Sequence, residues 1–277
     1  DHNRARDHYE AARALAPHDS KLLFERDQLA ARLGEDSATR LARLEGDRAL
    51  VAERDDLTVV YAHLLLDVGR ATEAYDVLVS RRFQPWEGGE GQVLAAWDRT
   101  ALALAAEALA EGRPADARAT LERTQTLPRS LGEARHPLAN QAVLQLALGD
   151  ALDALADPAA RDHWVRAAHA EGDFTDMSTR PFSAQTYYSV LALRRLGEWD
   201  AADALTARLA EYTEQLATTP ATIDYFATSL PTMLLFIDSP QITRDREVEH
   251  LRHLLRQLAT SARRDQAASH AVETGWQ

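Results

Sequence analysis

Hydrophobic positions recur along the chain with the period of an amphipathic helix. Tyr61, Leu64, Leu65 and Val68 stand at i, i+3, i+4 and i+7, and so do Leu102, Ala105, Ala106 and Leu109, a spacing that gathers side chains on one helical face. Tyr188, Leu191 and Ala192 begin the same pattern, but Arg195 completes it with a charge, which predicts a helix with a wet end. Between these stretches single glycines fall at Gly34, Gly69, Gly112, Gly149 and Gly197. Each reads as the left-handed residue that closes one helix before the next begins. Small side chains follow at Ala38, Ala74, Ala117 and Ala202, where a second helix must approach the first closely. The pattern predicts five helical hairpins. A last long helix is expected over 242–262, followed by a polar stretch, 263–277, that frays or caps the end.

Composition sharpens the fold class. Ala supplies 52 residues and Leu 39, against 15 for Ile and Val together, and that ratio favours helices over strands. The net charge of −12, from 31 basic and 43 acidic residues, makes nucleic acid or an anionic membrane an unfavourable partner. With no Cys, neither disulfides nor thiolate chemistry contribute, and the redox compartment stays open. The most apolar run, Phe226 to Ile237, has 12 residues and contains Pro231, too short to cross a bilayer. A cytoplasmic location is the resulting expectation.

The hairpin rhythm resembles the tetratricopeptide repeat (TPR) family. The closest match is at the start, where Ala5, Tyr9, Ala12 and Pro17 follow the small–aromatic–small–Pro spacing of that family's second helix. Gly112, Ala117, Leu121 and Pro128 give the next, with an Ala-to-Pro spacing one residue short. Other units lack the first-helix Trp, and the period wanders. The resemblance implies a right-handed superhelix of antiparallel helix hairpins. It also implies that residues 1–17 are a second helix with a partner upstream, so that the chain is the tail of a longer protein. A closed α/α toroid is the alternative architecture.

The stretches 81–91, 131–149 and 221–236 are similar to the C-terminal helical-repeat region of large bacterial proteins with an N-terminal β-sandwich. That sandwich is similar to carbohydrate-active ones, so this second resemblance implies a carbohydrate context. The domain expectation is one continuous helical-repeat domain over 1–277: N-terminal repeats to 80, a long loop over 81–91, and the remaining repeats and terminal helix over 92–277.

In a solenoid, residues that break the rhythm are the candidates for function. Phe83 to Gly91 brings Trp86, Glu87 and Glu90 beside three glycines. Trp86 could stack on a sugar face while the carboxylates accept hydroxyl hydrogen bonds, or the segment is a long loop pinned by a buried Trp. Two carboxylates and no following Lys-Ser/Thr pair exclude a phosphate loop. Arg135, His136, Asn140 and Gln141 sit where a helix is expected to start near Pro137. Asn140, one of two Asn in the chain, either bonds a repeat-to-repeat carbonyl or lines a polar groove. Asp173, Asp176, Arg180, Tyr187 and Tyr188, with Asp224, Tyr225 and Phe226, form an aromatic–acid mixture assigned to two successive first helices; such residues pack or line a concave wall.

His250 and His253 lack a third metal ligand, and His163 beside Trp164 lacks a matched nucleophile. No GxSxG, HExxH or Walker-type sequence occurs. No catalytic residue, metal or cofactor is therefore assigned. The expected function is a non-catalytic scaffold that binds a protein, a peptide or its own upstream domain. The alternative is a carbohydrate-binding or carbohydrate-processing accessory region of a larger enzyme.

Overall fold

The hairpin turns share one backbone solution. At Gly34 the Glu35 amide donates to the Ala30 carbonyl at 3.0 Å. The equivalent bonds run from Arg70 to Leu65 at 2.9 Å, from Arg113 to Ala108 at 2.8 Å and from Glu198 to Leu193 at 2.9 Å. Gly34, Gly69, Gly112 and Gly197 all take the left-handed conformation, with φ between 70° and 79°. This six-to-one closure satisfies carbonyls that a helix end otherwise leaves open.

These turns belong to a computed structural model that describes residues 2–86, 88–175, 178–221 and 239–274; side chains are described except at His2, Asn3, Ser178 and 262–274. Among the described residues the fold is all-α apart from one short β-hairpin. The chain divides into two compact units, Asp1–Arg135 and His136–Gln277.

The first unit runs α1 (His2–Leu15), α2 (Ser20–Arg32), α3 (Ser37–Gly46), α4 (Arg48–Glu53), α5 (Asp55–Asp67), α6 (Ala71–Val79), α7 (Gln92–Ala110) and α8 (Pro114–Gln125), and then a 3-10 turn at Arg129–Leu131. Sequential helices pack on each other, and the first helices α5 and α7 also lie side by side. Leu23, Leu44, Leu57, Tyr61, Leu65, Leu78 and Trp97 form one core. On α7 the buried stripe is Trp97, Ala101, Ala105 and Ala108, turned from the expected one, because Leu102 and Leu109 are only half-buried. Ala74 and Ala117 are fully buried, as close approach requires. Ala38 is exposed. Asp36 caps α3 by accepting the Thr39 amide at 2.9 Å, so this helix starts later after its glycine than the others do, and Leu41 and Leu44 become its buried face.

The second unit runs α9 (Ala142–Asp153), α10 (Ala160–Ala168), β1 (Asp173–Thr175), β2 (Ser178–Arg180), α11 (Gln185–Leu196), α12 (Trp199–Thr218) and α13 (Pro240–Thr274). α9 lies beside α11, and α11 beside α13. Three sequence expectations change here. Gly149 is not a turn residue: it sits inside α9, and a Cβ on it would come within 2.4 Å of the Trp164 ring. The left-handed position belongs to Ala156, φ 55°, held by the Asp157 amide donating to the Leu152 carbonyl at 3.0 Å. The segment 173–188 is not all helix. Asp173 pairs with Arg180, Phe174 with Thr179 and Thr175 with Ser178 in an antiparallel hairpin, and α11 begins only after Pro181, which disfavours helix in the residue before it. Finally, α13 continues through most of the stretch expected to fray. No helix among the described residues is long and apolar enough to cross a membrane.

Candidate functional site

The segment before α9 is where sequence and structure bring most polar chemistry together. No helix starts at Pro137. The Ala139 amide instead donates to the His136 carbonyl at 2.9 Å, making a tight turn, and the Leu138 amide donates to His136 Nδ1 at 3.2 Å. The His136 ring stacks on Phe174, with centroids 3.8 Å apart and planes 15° apart.

Asn140 then starts the helix. Its Oδ1 accepts the Ala142 amide at 2.9 Å, and its Nδ2 donates to the Gly172 carbonyl at 2.7 Å. The Asn140 amide donates to Asp173 Oδ1 at 2.9 Å, and Asp173 Oδ2 accepts from the Ser183 hydroxyl at 2.8 Å. Gln185 of α11 accepts the Val143 amide at 3.0 Å. An Asn side chain that competes for the first helical amides is a cap, which is why α9 begins at Ala142.

The rigid turn borders a groove of about 330 Å³ lined by Pro137, Leu138, Asn140, Gln141, Gln145, Arg166 and Glu171, among others. Leu138 is 62% exposed, and Arg166 and Glu171 are exposed beside it. Gln145 is fixed by a 2.8 Å hydrogen bond to His163 Nδ1. Pro137 and Leu138, three amide side chains and one charge of each sign thus border a shallow groove. Such a set can hold an extended chain by hydrogen bonds and one apolar contact. The sequence named Asn140 and Gln141. It missed Leu138, Gln145, Arg166 and Glu171, whose signal was an apolar residue in a Pro-containing turn.

Tyr187 and Tyr188 meet edge to face, with ring centroids 5.0 Å apart, both half-buried against the core of this unit. Burial, and then the neighbouring Tyr187, push the Tyr188 phenol above its ordinary range. Arg180 pairs with Glu247 of α13. Asp176, Asp224, Tyr225 and Phe226, like the rest of the apolar run to Ile237, lie outside the described residues.

In the first unit, the connection from α6 to α7 is pinned by Phe83. This side chain is buried, its amide donates to the Ser130 carbonyl at 2.7 Å, and the Arg81 guanidinium lies over its ring. Trp86 is half-buried and closes over Gly89, where a Cβ would stand 1.9 Å from the indole. Glu90 is exposed, and Glu87 lies outside the described residues. Glu133 caps α7, accepting the Gly91 amide at 3.0 Å and the Leu94 amide at 3.2 Å. Its carboxyl is held above the usual range, first by burial, with Glu90 adding to the effect and the two amides opposing it. Arg135 makes a two-pronged ion pair with Asp98 at 2.6 and 2.7 Å. Phe83, Arg81 and Glu133 were not singled out in the sequence, although a Phe beside three glycines and a Trp is a signal for an anchored loop.

His253 Nε2 hydrogen-bonds Gln257 of its own helix at 3.0 Å. Among the described residues no group of three or more His, Cys, Asp or Glu side chains is placed to hold a metal ion. No protein-family model matches the chain.

Proposed function

We propose that this chain is a TPR-like interaction scaffold that holds an extended peptide segment of a partner in the groove beside Leu138. The observation that carries the reading is Leu138, a large apolar side chain held out to solvent by the capped turn at the groove's mouth. A partner that covers an exposed apolar side chain gains by taking its surface out of water. The alternative, a carbohydrate-binding accessory region, draws less support. The Trp86 ring is spent on Gly89 and the core, and Arg135 and Asn140 bond within the fold.

The test is selection of a random peptide library on the protein, followed by titration of enriched peptides against variants. Leu138→Asp and Arg166→Glu, both at exposed positions, should leave the melting temperature unchanged. Leu138→Asp should weaken the enriched peptides by at least about tenfold, the loss of one interface anchor. Peptides that bind both variants as well as the parent would remove the groove from consideration. A melting shift with an oligosaccharide that Trp86→Ala abolishes would put the carbohydrate reading first.

A further inference from the structure

Three adjacent helices of the first unit share a chain of polar side chains that the packing of the hairpins does not require. His63 and Asp67 stand one turn apart on α5. Arg99 of α7 reaches both: its Nη1 lies 3.3 Å from His63 Nδ1, and its Nη2 donates to Asp67 Oδ1 at 2.5 Å. The other Asp67 oxygen accepts from the Ser37 hydroxyl of α3 at 2.7 Å. A guanidinium only donates, so His63 Nδ1 must accept, and this contact exists only with a neutral imidazole.

We propose that these residues form an acid-released latch: protonation of His63 breaks its bond to Arg99 and draws the Asp67 carboxylate away from α7 to a partner on α5 itself. The proton comes from solvent and resides on Nδ1. The exchange trades a bond between helices for one within a helix, and so loosens the seam between α5 and α7. The latch lies in the first unit, and the peptide groove in the second.

The surroundings of His63 favour the neutral form at rest. Burial, and then the Arg99 charge, lower its pKa, with Asp67 opposing. Of the helices packed on α5, α7 brings Arg99, and α3 brings the neutral Ser37 and, towards Tyr61, the Glu45 carboxylate; Arg70, ahead of α6, also acts on Tyr61. Arg48 of α4 and Glu73 of α6 act on Tyr61, on the buried face of α5. Because the folded pKa lies below the unfolded one, the latch contributes fully above the ordinary His range. Its contribution is lost as the pH falls through that range towards the lowered folded value.

The experiment is a histidine-labelled NMR titration of the whole chain from about pH 8 to about pH 5, the window in which imidazoles titrate. His63→Gln identifies the resonance. Amide exchange of residues 92–100, corrected for the intrinsic pH dependence, is followed in parallel. The His63 midpoint should lie below that of a free imidazole and move up in Arg99→Gln. Protection at the start of α7 should fall with acid in the parent and not in His63→Gln. A midpoint at or above the free value, a midpoint unmoved by Arg99→Gln, or acid loosening that persists in His63→Gln would each overturn the latch.

Discussion

The hairpins α2–α3 and α9–α10 close with the same six-to-one backbone bond and are held together by opposite means. Between α9 and α10 the contact is close and mostly apolar, with single hydrogen bonds at Gln145–His163 and Trp164–Asp150. Gly149 admits the Trp164 ring, and Ala142, Leu146 and Ala167 are buried around it. Around α2 the contact is ionic. Asp27, 1% exposed, takes a two-pronged bond from Arg40 of α3 at 3.1 and 2.6 Å. Arg26 reaches Glu10 of α1 at 2.7 Å and Glu35 at 3.1 Å, and Arg43 also binds Glu35 at 2.6 Å. α3 leans chiefly on α5. A shared turn therefore fixes where two helices reverse direction and leaves open what fills the space between them.

The largest test of this contrast is Asp27→Ala. It strands the Arg40 guanidinium in a largely buried position and is expected to cost about 3 kcal/mol in denaturant unfolding, as broken buried pairs do. The double variant Asp27→Leu/Arg40→Met should recover most of that loss, because replacing both partners removes the uncompensated charge. If the double variant is as unstable as the single one, the pair is not what joins α2 to α3.

Gly149→Ala comes next. The added methyl meets the Trp164 ring, and overpacking of this kind costs about 1–3 kcal/mol, read as a lower melting temperature. Trp164→Leu in the same chain should lessen the added cost of the methyl. Gly34→Ala is the matched control: a Cβ there meets no atom within 4 Å, so only the left-handed backbone is charged, about 1–2 kcal/mol. Asn140→Ala should cost about 1 kcal/mol, a typical cap, and should raise amide exchange at Ala142 first.

The smallest effect is on pH. The Glu35 carboxyl is held below its ordinary range by the hydrogen bond from Arg43, against an opposing effect of burial and with Arg26 helping. Its folded pKa is lowered, so its stabilisation is present above the unfolded value and is lost as the pH falls towards the folded one. Glu35→Gln should flatten the acid limb of the stability profile. The same change at Glu133, whose carboxyl is shifted upward, should not reproduce that flattening.

The helices, and four of the five left-handed turns, were legible because glycine is the residue that tolerates positive φ at little cost. The fifth was misplaced for the same reason. Gly149 looked like a turn residue, while the left-handed position was taken by Ala156, which the Asp157 amide and a cap from the Asp157 carboxylate to the Ala159 amide hold in place. The β-hairpin was missed because three-residue strands carry too little alternation to outweigh the aromatic spacing beside them. Asn140 was legible as unusual but not as a cap, since its second and third partners, Gly172 and Asp173, are supplied by tertiary structure. Trp86 drew the eye by size and does rest on the core, but the side chain buried whole there is Phe83.

The bracket at Asp173 also orders events in time. Contacts within a hairpin span short stretches of chain and form early. The start of α9 is different: the carboxylate that takes the Asn140 amide stands 33 residues downstream, and the carbonyl that takes its side chain stands 32. A chain delivered from its N-terminus exposes α9 with its Asn140 cap untethered, and that cap is anchored only once α10 and the strands behind it have been made.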